Sequence, residues 1–142
     1  MQYQRNVGII LLDKDGYIFL GHRVRGGYSF PQGNLEFNEE AEDGARRELY
    51  EETGLKNISD LRILDPVFTY MIPNNVGKMQ KWVVCKWNGG ERVRLNLSNY
   101  PEFHSYEWCS ISKALKNCIW FKKEIYEKLQ EEVQNFYQLP LI

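Results

Sequence analysis

Apolar and polar positions along the chain fall into blocks that predict a short series of elements. Val7–Leu12 is apolar apart from Gly8, and Asp13-Lys14-Asp15-Gly16 separates it from Tyr17-Ile18-Phe19-Leu20. The two runs predict a β-hairpin, with Asp15-Gly16 supplying the positive φ of its turn. Arg25-Gly26-Gly27 reads as a loop, and Pro31 and Gly33 punctuate the approach to the next element. The spacing then becomes helical: Ala41, Ala45 and Leu49 line one stripe, Asn38 stands as an N-cap, and Gly54 as a C′ stop. A helix from about residue 39 to about residue 53 follows, with Glu39 and Glu40 placed well against its dipole. Leu61–Ile72 and Met79–Trp87 predict strands, with Pro73-Asn74-Asn75 and Gly77 between them. A polar loop over Asn88–Pro101 and a short strand at Tyr106–Cys109 come next. Ile125, Leu129, Val133 and Phe136 recur at helical spacing along Lys122–Tyr137, a closing amphipathic helix that covers the core. Strands flanking a central helix, then a closing helix, predict a mixed α/β layered domain spanning residues 1–142 as one unit.

Composition narrows the partners. With 43 % hydrophobic residues the 142-residue chain can bury a core and is not disordered. A formal net charge of −1 excludes a global basic field for nucleic acid or membrane, so any basic site is local. Val7–Leu12 is too short for a signal h-region or a membrane span, and Asp13 ends it. Cys85, Cys109 and Cys118 show no CxxC spacing, which predicts reduced thiols and a cytoplasmic location. Nothing in the pattern marks a membrane or an obligate protein partner.

The helical segment carries an unusual load of like charge. Glu36, Glu39, Glu40, Glu42, Asp43, Glu48, Glu51 and Glu52 all lie in "GNLEFNEEAEDGARRELYEETGL". At 100° per residue, Glu48, Glu51 and Glu52 share an arc of roughly 100°, separate from the apolar stripe. Two such charges at ~5 Å and an effective dielectric of ~20 repel by about 3 kcal/mol. A solvated helix face would tolerate this, and Glu36, Glu40, Glu42 and Asp43 fit that reading. It leaves unexplained why Gly33 and Gly54 bracket the segment and why Arg47 stands beside the trio. Hard divalent cations prefer carboxylate oxygens and keep waters that a phosphate can replace, so a cation site accounts for Glu48, Glu51 and Glu52.

These positions resemble the Nudix box: glycine, five residues, glutamate, seven residues, then arginine-glutamate-aliphatic-any-glutamate-glutamate-any-glycine-aliphatic. Gly33, Glu39, Arg47, Glu48, Leu49, Glu51, Glu52, Gly54 and Leu55 occupy every defined position. The resemblance implies the Nudix fold, a mixed β-sheet sandwiched between helices (α/β/α), and a hydrolase of phosphoric anhydrides with Mg²⁺ or Mn²⁺ as cofactor. It implies a metal set of Gly33, Glu48, Glu51, Glu52 and Glu102, with Glu39 orienting Arg47 beside it. "RNVGIILLDKDGYIFLGHR", "FPQG", "GKMQKW", "PEFHSYEW" and "FKKEIY" are similar to the bacterial branch of RNA 5′-pyrophosphohydrolases and dinucleoside polyphosphate hydrolases.

Within that branch, Glu102 stands at an additional acidic position that joins the metals or serves as base. Arg23 and Lys81 stand at basic positions facing the phosphate chain. Ile119 and Phe121 stand where a terminal base is packed, and Lys122 adds a phosphate contact. Three positions depart from the branch. Asn34 replaces a second glycine, a residue type that tolerates left-handed backbone. Tyr28 replaces a tryptophan, and Arg5, the candidate substrate-binding arginine, lies one place beyond its expected position, with Gln4 before it. The expected substrate is the 5′-triphosphate end of RNA, cleaved to release pyrophosphate. Diadenosine tetraphosphate or a related dinucleotide is the alternative. An inactive nucleotide-binding module is the third reading, and the intact Glu48, Glu51 and Glu52 argue against it.

Overall fold

The computed structural model describes residues 2–72, 76–118, 127–131 and 133–134. Seven strands among them form one mixed sheet: β1 (Gln2–Leu12), β2 (Ile18–Arg23), β3 (Tyr28–Ser29), β4 (Gln32–Asn34), β5 (Ile58–Ile72), β6 (Val76–Trp87) and β7 (Phe103–Cys109). Two helices, α1 (Ala41–Thr53) and α2 (Ile111–Asn117), accompany them. The strand order is β3-β2-β1-β6-β5, with β4 paired to β1 and β7 to β2. β1 and β6 run parallel from Gln2↔Val76 to Leu12↔Lys86, and the other pairs are antiparallel.

The apolar run of β1 is continuous because both sheet faces are covered. Val7, Ile9 and Leu11 point to one side, where they pack with Phe19, Val83, Cys85 and the α1 stripe Ala41, Ala45 and Leu49. Ile10 and Leu12 point to the other, against Leu20, Trp82, Val84, Ile111, Leu115 and the helical Leu129 and Val133. Gly8 is required between them, since a Cβ there would meet the Trp82 ring at 2.4 Å. The layering is α/β/α, as the resemblance implied. Cys85, Cys109 and Cys118 are buried free thiols. Among the described residues no helix is long and apolar enough to cross a membrane.

The predicted hairpin is present. Asp13 Oδ1 accepts from the Asp15 and Tyr17 amides, and Gly16 takes φ 84°. The start of α1 differs from the prediction. Asn38 has φ 62° and is not the N-cap; Glu40 precedes the first helical residue and caps with no side-chain bond. The Glu39 carboxylate is turned to Arg47 instead, so the chain loops around that guanidinium before the helix begins. Glu42 and Asp43, not Glu39 and Glu40, occupy the first turn, where negative charge meets the dipole. Gly54 ends the helix in the left-handed conformation at φ 75°, as predicted.

Candidate active site

β4 and α1 converge at the edge of β1 and bring the box residues together. Register places Gly33 beside Val7, so Gly33 faces α1 and its neighbours Gln32 and Asn34 face the opposite side. The Glu48 carboxylate lies directly against Gly33: a Cβ there would stand 2.1 Å from Glu48 Cδ. The glycine is thus needed for close approach, not for an unusual backbone angle. One turn on, Glu52 Oε2 accepts from the Gln32 amide at 3.2 Å.

Arg47 organises this corner. Its Nε and Nη2 donate to the two oxygens of Glu39, each at 2.8 Å, in a fork-on-fork pair. Nη2 also donates to the Asn34 carbonyl, and Nη1 to Glu48 Oε1 at 2.9 Å and Glu51 Oε2 at 3.4 Å. Glu36, read from sequence as plain surface, lies 3.7 Å from Arg47 Nε and gives its amide to Glu39. Hydrogen bonding to Arg47 lowers the Glu39 pKa to about 2, and the same partnership holds the Arg47 charge more firmly than usual. Arg5, expected at the substrate, donates to the Glu39 carbonyl at 2.7 Å and braces this loop.

The carboxylates of α1 are not equivalent. Glu51 is exposed on the rim. Burial raises the Glu48 pKa against the opposing pull of Arg47. Burial raises the Glu52 pKa further, reinforced by the charges of Glu48 and Glu102. Glu102, just before β7, therefore belongs to the same electrostatic cluster. It is held by Arg23 Nε at 3.2 Å, and the Val24 amide donates to its carbonyl. Glu48 and Glu51 share Arg47 Nη1, while Glu52 and Glu102 have donors of their own, and no three acids among the described residues are drawn together as a ligand group.

The donor set nevertheless suits a hard divalent cation. It consists of carboxylate oxygens, partly desolvated and mutually repelling, in a cleft that a single methyl group at Gly33 would fill. Lys81 is exposed and shares the cross-strand row of Gly33 and Val7, two strands from Gly33, about 10 Å away. Ile119, Phe121 and Lys122 lie outside the described residues. Asn34 adopts extended backbone within β4, so the left-handed turn considered for it does not arise.

Sequence reasoning missed a polar network on the other sheet face, next to the glutamates. Gln80 is 5 % exposed, and its Nε2 donates to Asn6 Oδ1 at 2.7 Å and Gln32 Oε1 at 2.8 Å. Asn6 Nδ2 and Lys78 Nζ both donate to Asn34 Oδ1 at 3.2 Å. Burial lowers the Lys78 pKa. The available signal was Asn6 and Gln80 themselves, amides that each stand two residues before an inward-facing position of their strand, Gly8 and Trp82.

Comparison with known proteins places the chain in a family. The NUDIX domain family matches residues 2–129. An RNA pyrophosphohydrolase of Wolbachia sp. subsp. Brugia malayi is 30 % identical over 154 residues, covering 99 % of this chain and 96 % of the relative. One from Shewanella denitrificans is 31 % identical over 145 residues, covering 92 % and 84 %. Among solved structures, a C. elegans Ap4A hydrolase binary complex superposes with TM-score 0.74 at 18 % identity, covering 96 % of this chain and 99 % of that one. The E. coli dihydroneopterin triphosphate pyrophosphohydrolase gives 0.73 at 14 %, covering 95 % and 99 %. With a family match that spans most of the chain and relatives of about 30 % identity along nearly its whole length, the chain belongs to the NUDIX family of hydrolases.

Proposed function

We propose that the protein hydrolyses the polyphosphate at the 5′ end of RNA, releasing pyrophosphate and leaving a monophosphate, with Mg²⁺ or Mn²⁺ held by Glu48, Glu51, Glu52, Glu102 and the Gly33 carbonyl. The observation that carries this reading is the pair of half-buried, pKa-raised carboxylates Glu48 and Glu52 packed against Gly33 and Gln32. The full-length similarity to relatives named RNA pyrophosphohydrolase supports the substrate. A bound divalent cation supplies charge neutralisation at phosphate oxygens and lowers the pKa of coordinated water.

The chain's own residues do the rest. Arg47, fixed by Glu39, holds Glu48 in one rotamer, so the carboxylate is in place before substrate arrives. Gln32 fixes one oxygen of Glu52 and leaves the other for water or ligand. Arg23 keeps Glu102 within the field of Glu52 and brings positive charge to the phosphate chain. Lys78 and the amides of Asn34 and Gln80 offer a cation and hydrogen-bonding groups on the adjoining face, suited to the first nucleotide. Ile119, Phe121 and Lys122 are proposed to complete that base site. Only the terminal nucleotides need touch the protein, so a net charge of −1 is compatible with RNA. The buried free thiols suit the cytoplasm, where such RNA ends are found.

Incubation of the full chain with Mg²⁺ and γ-labelled triphosphorylated RNA tests the reading. Release of labelled pyrophosphate supports it, and failure to cleave any nucleotide polyphosphate with either metal contradicts it.

A further inference from the structure

Glu102 enters the glutamate cluster from the residue just before β7, so its place depends on how β7 meets β2. The two strands pair regularly from Ile18↔Cys109 to His22↔Ser105. The register then shifts, so that Arg23 stands opposite Phe103 and His104 is the extra residue. An extra residue in one strand bends it and re-aims the side chains beyond, a device common beside active sites. Beyond this bulge, Arg23 Nε donates to Glu102 Oε1 at 3.2 Å, and the Val24 amide donates to the Glu102 carbonyl at 3.0 Å. On the α1 face the start of β7 is anchored by Phe103, which is 2 % exposed and whose ring occupies the space a Cβ would need at Gly21.

His22 grips the opposite face at the last regular pair. Its Nε2 meets Glu107 Oε2 at 2.8 Å, and its Nδ1 meets Ser105 Oγ at 2.8 Å. Lys113 Nζ, on α2, donates to the other Glu107 oxygen at 2.9 Å. Hydrogen bonds from Lys113 and His22 hold the Glu107 pKa below its ordinary value, so this carboxylate only accepts. Nε2 is therefore the donor, and Nδ1 of the neutral ring accepts from the Ser105 hydroxyl. The Tyr28 ring closes on His22 edge to face, with centroids 4.7 Å apart. One imidazole thus joins β2, β3, β7 and, through Glu107, α2, next in the chain to the arginine that holds Glu102. We propose that His22 is a positioning residue for hydrolysis: by fastening the last regular β2–β7 pair, it fixes the bulge that presents Glu102 to Glu52. This rests on the reading of Glu102 as part of the hydrolytic site. His22 acts through Arg23 and Glu102, and Ser105 and Glu107 hold its ring in one orientation.

The test follows pyrophosphate release from triphosphorylated RNA, with Mg²⁺ titrated, for the full chain and for His22→Ala, His22→Asn and His22→Gln. Losing a group that holds a ligand in place predicts a kcat about 10–100-fold lower for His22→Ala, with RNA KM within about twofold and more Mg²⁺ needed for half-activation. His22→Asn reaches Ser105 but not Glu107, and it should show the same fall while keeping the strands closed, should His22→Ala not fold. His22→Gln keeps a donor where Nε2 stands and should lie within about fivefold of wild type. Each variant is then combined with Glu102→Gln. A residue that acts through Glu102 slows the Glu102→Gln enzyme by less than about twofold more, whereas a general weakening of the fold multiplies with it. Near-wild-type kcat in folded His22→Ala or His22→Asn, a His22→Gln no faster than His22→Asn, or losses that multiply with Glu102→Gln overturn the inference. So does Glu102→Gln at the wild-type rate, which leaves the proposed function standing; no release by the wild type sinks both.

Discussion

Gly33→Ala isolates the close approach on which the site depends. The new Cβ would stand 2.1 Å from Glu48 Cδ and 2.3 and 2.4 Å from its oxygens. Carbon atoms rest at about 3.5–4.0 Å, so the carboxylate must retreat by roughly 1.5 Å. The backbone gives no relief, because β4 is pinned to β1 at Asn6, Val7 and Gly8. The obstacle is the end of a side chain, and Gly33 has no positive φ, so the protein still folds. The lost Glu48–Arg47 contact opposes the ~0.4–1 kcal/mol that reduced freedom of the unfolded chain contributes. A Tm change of less than about 4 °C is expected. Catalysis is far more sensitive: displacement by ~1 Å can lower a rate about 100-fold, or ~2.7 kcal/mol in the barrier. Steady-state kcat on triphosphorylated RNA and a thermal melt of the same preparation are the two measurements. A variant with wild-type kcat would refute the argument that Glu48 acts from its position against Gly33. A variant that fails to fold would refute the claim that the contact is functional rather than structural.

Glu52→Gln should lower kcat by about 10³-fold while stabilising the metal-free protein at neutral pH. The folded pKa of Glu52 is raised, so its contribution to stability is complete below the ordinary value of 4.5 and is lost as pH rises through the folded value. Glutamine stays neutral, so urea melts in EDTA should converge near about pH 4 and separate in favour of the variant toward about pH 8; a variant less stable at neutral pH would contradict this. Arg47→Lys replaces a planar fork with a point charge, and kcat should drop about 10–100-fold, with loss of thermal stability, even though the charge is kept. Gln80→Ala strips a donor from both Asn6 and Gln32, and a destabilisation of ~1–3 kcal/mol in urea is expected.

Much of this site was legible because its chemistry is local. Glu48, Glu51, Glu52 and Arg47 share one helix, and a helix converts spacing into geometry directly. The hairpin was legible for the same reason, with Asp13 and Gly16 closing it within four residues. What was hidden depends on distant pairing. The Gln80–Asn6 bond joins residues 74 apart, and the parallel β1–β6 register that creates it leaves no mark in either strand alone. β3 and β4 are too short for any periodicity, and Gln32-Gly33-Asn34 is polar, so the strand that carries Gly33 reads as loop. Asn38 shows how a good local signal can lose. An N-cap preference is worth about 1 kcal/mol, less than the forked Arg47–Glu39 pair that draws the preceding loop around itself. α2 was overlooked although Ser110 caps it, accepting from the Lys113 amide.

The central claim is that the carboxylates gathered at Gly33 and Gln32 hydrolyse a nucleotide polyphosphate. It is tested most directly by following pyrophosphate release from γ-labelled triphosphorylated RNA with Mg²⁺, for wild type and Glu52→Gln side by side. The account predicts release by the wild type, none on omission of metal, and a rate lower by about 10³-fold in the folded variant. Near-wild-type release by Glu52→Gln would contradict it.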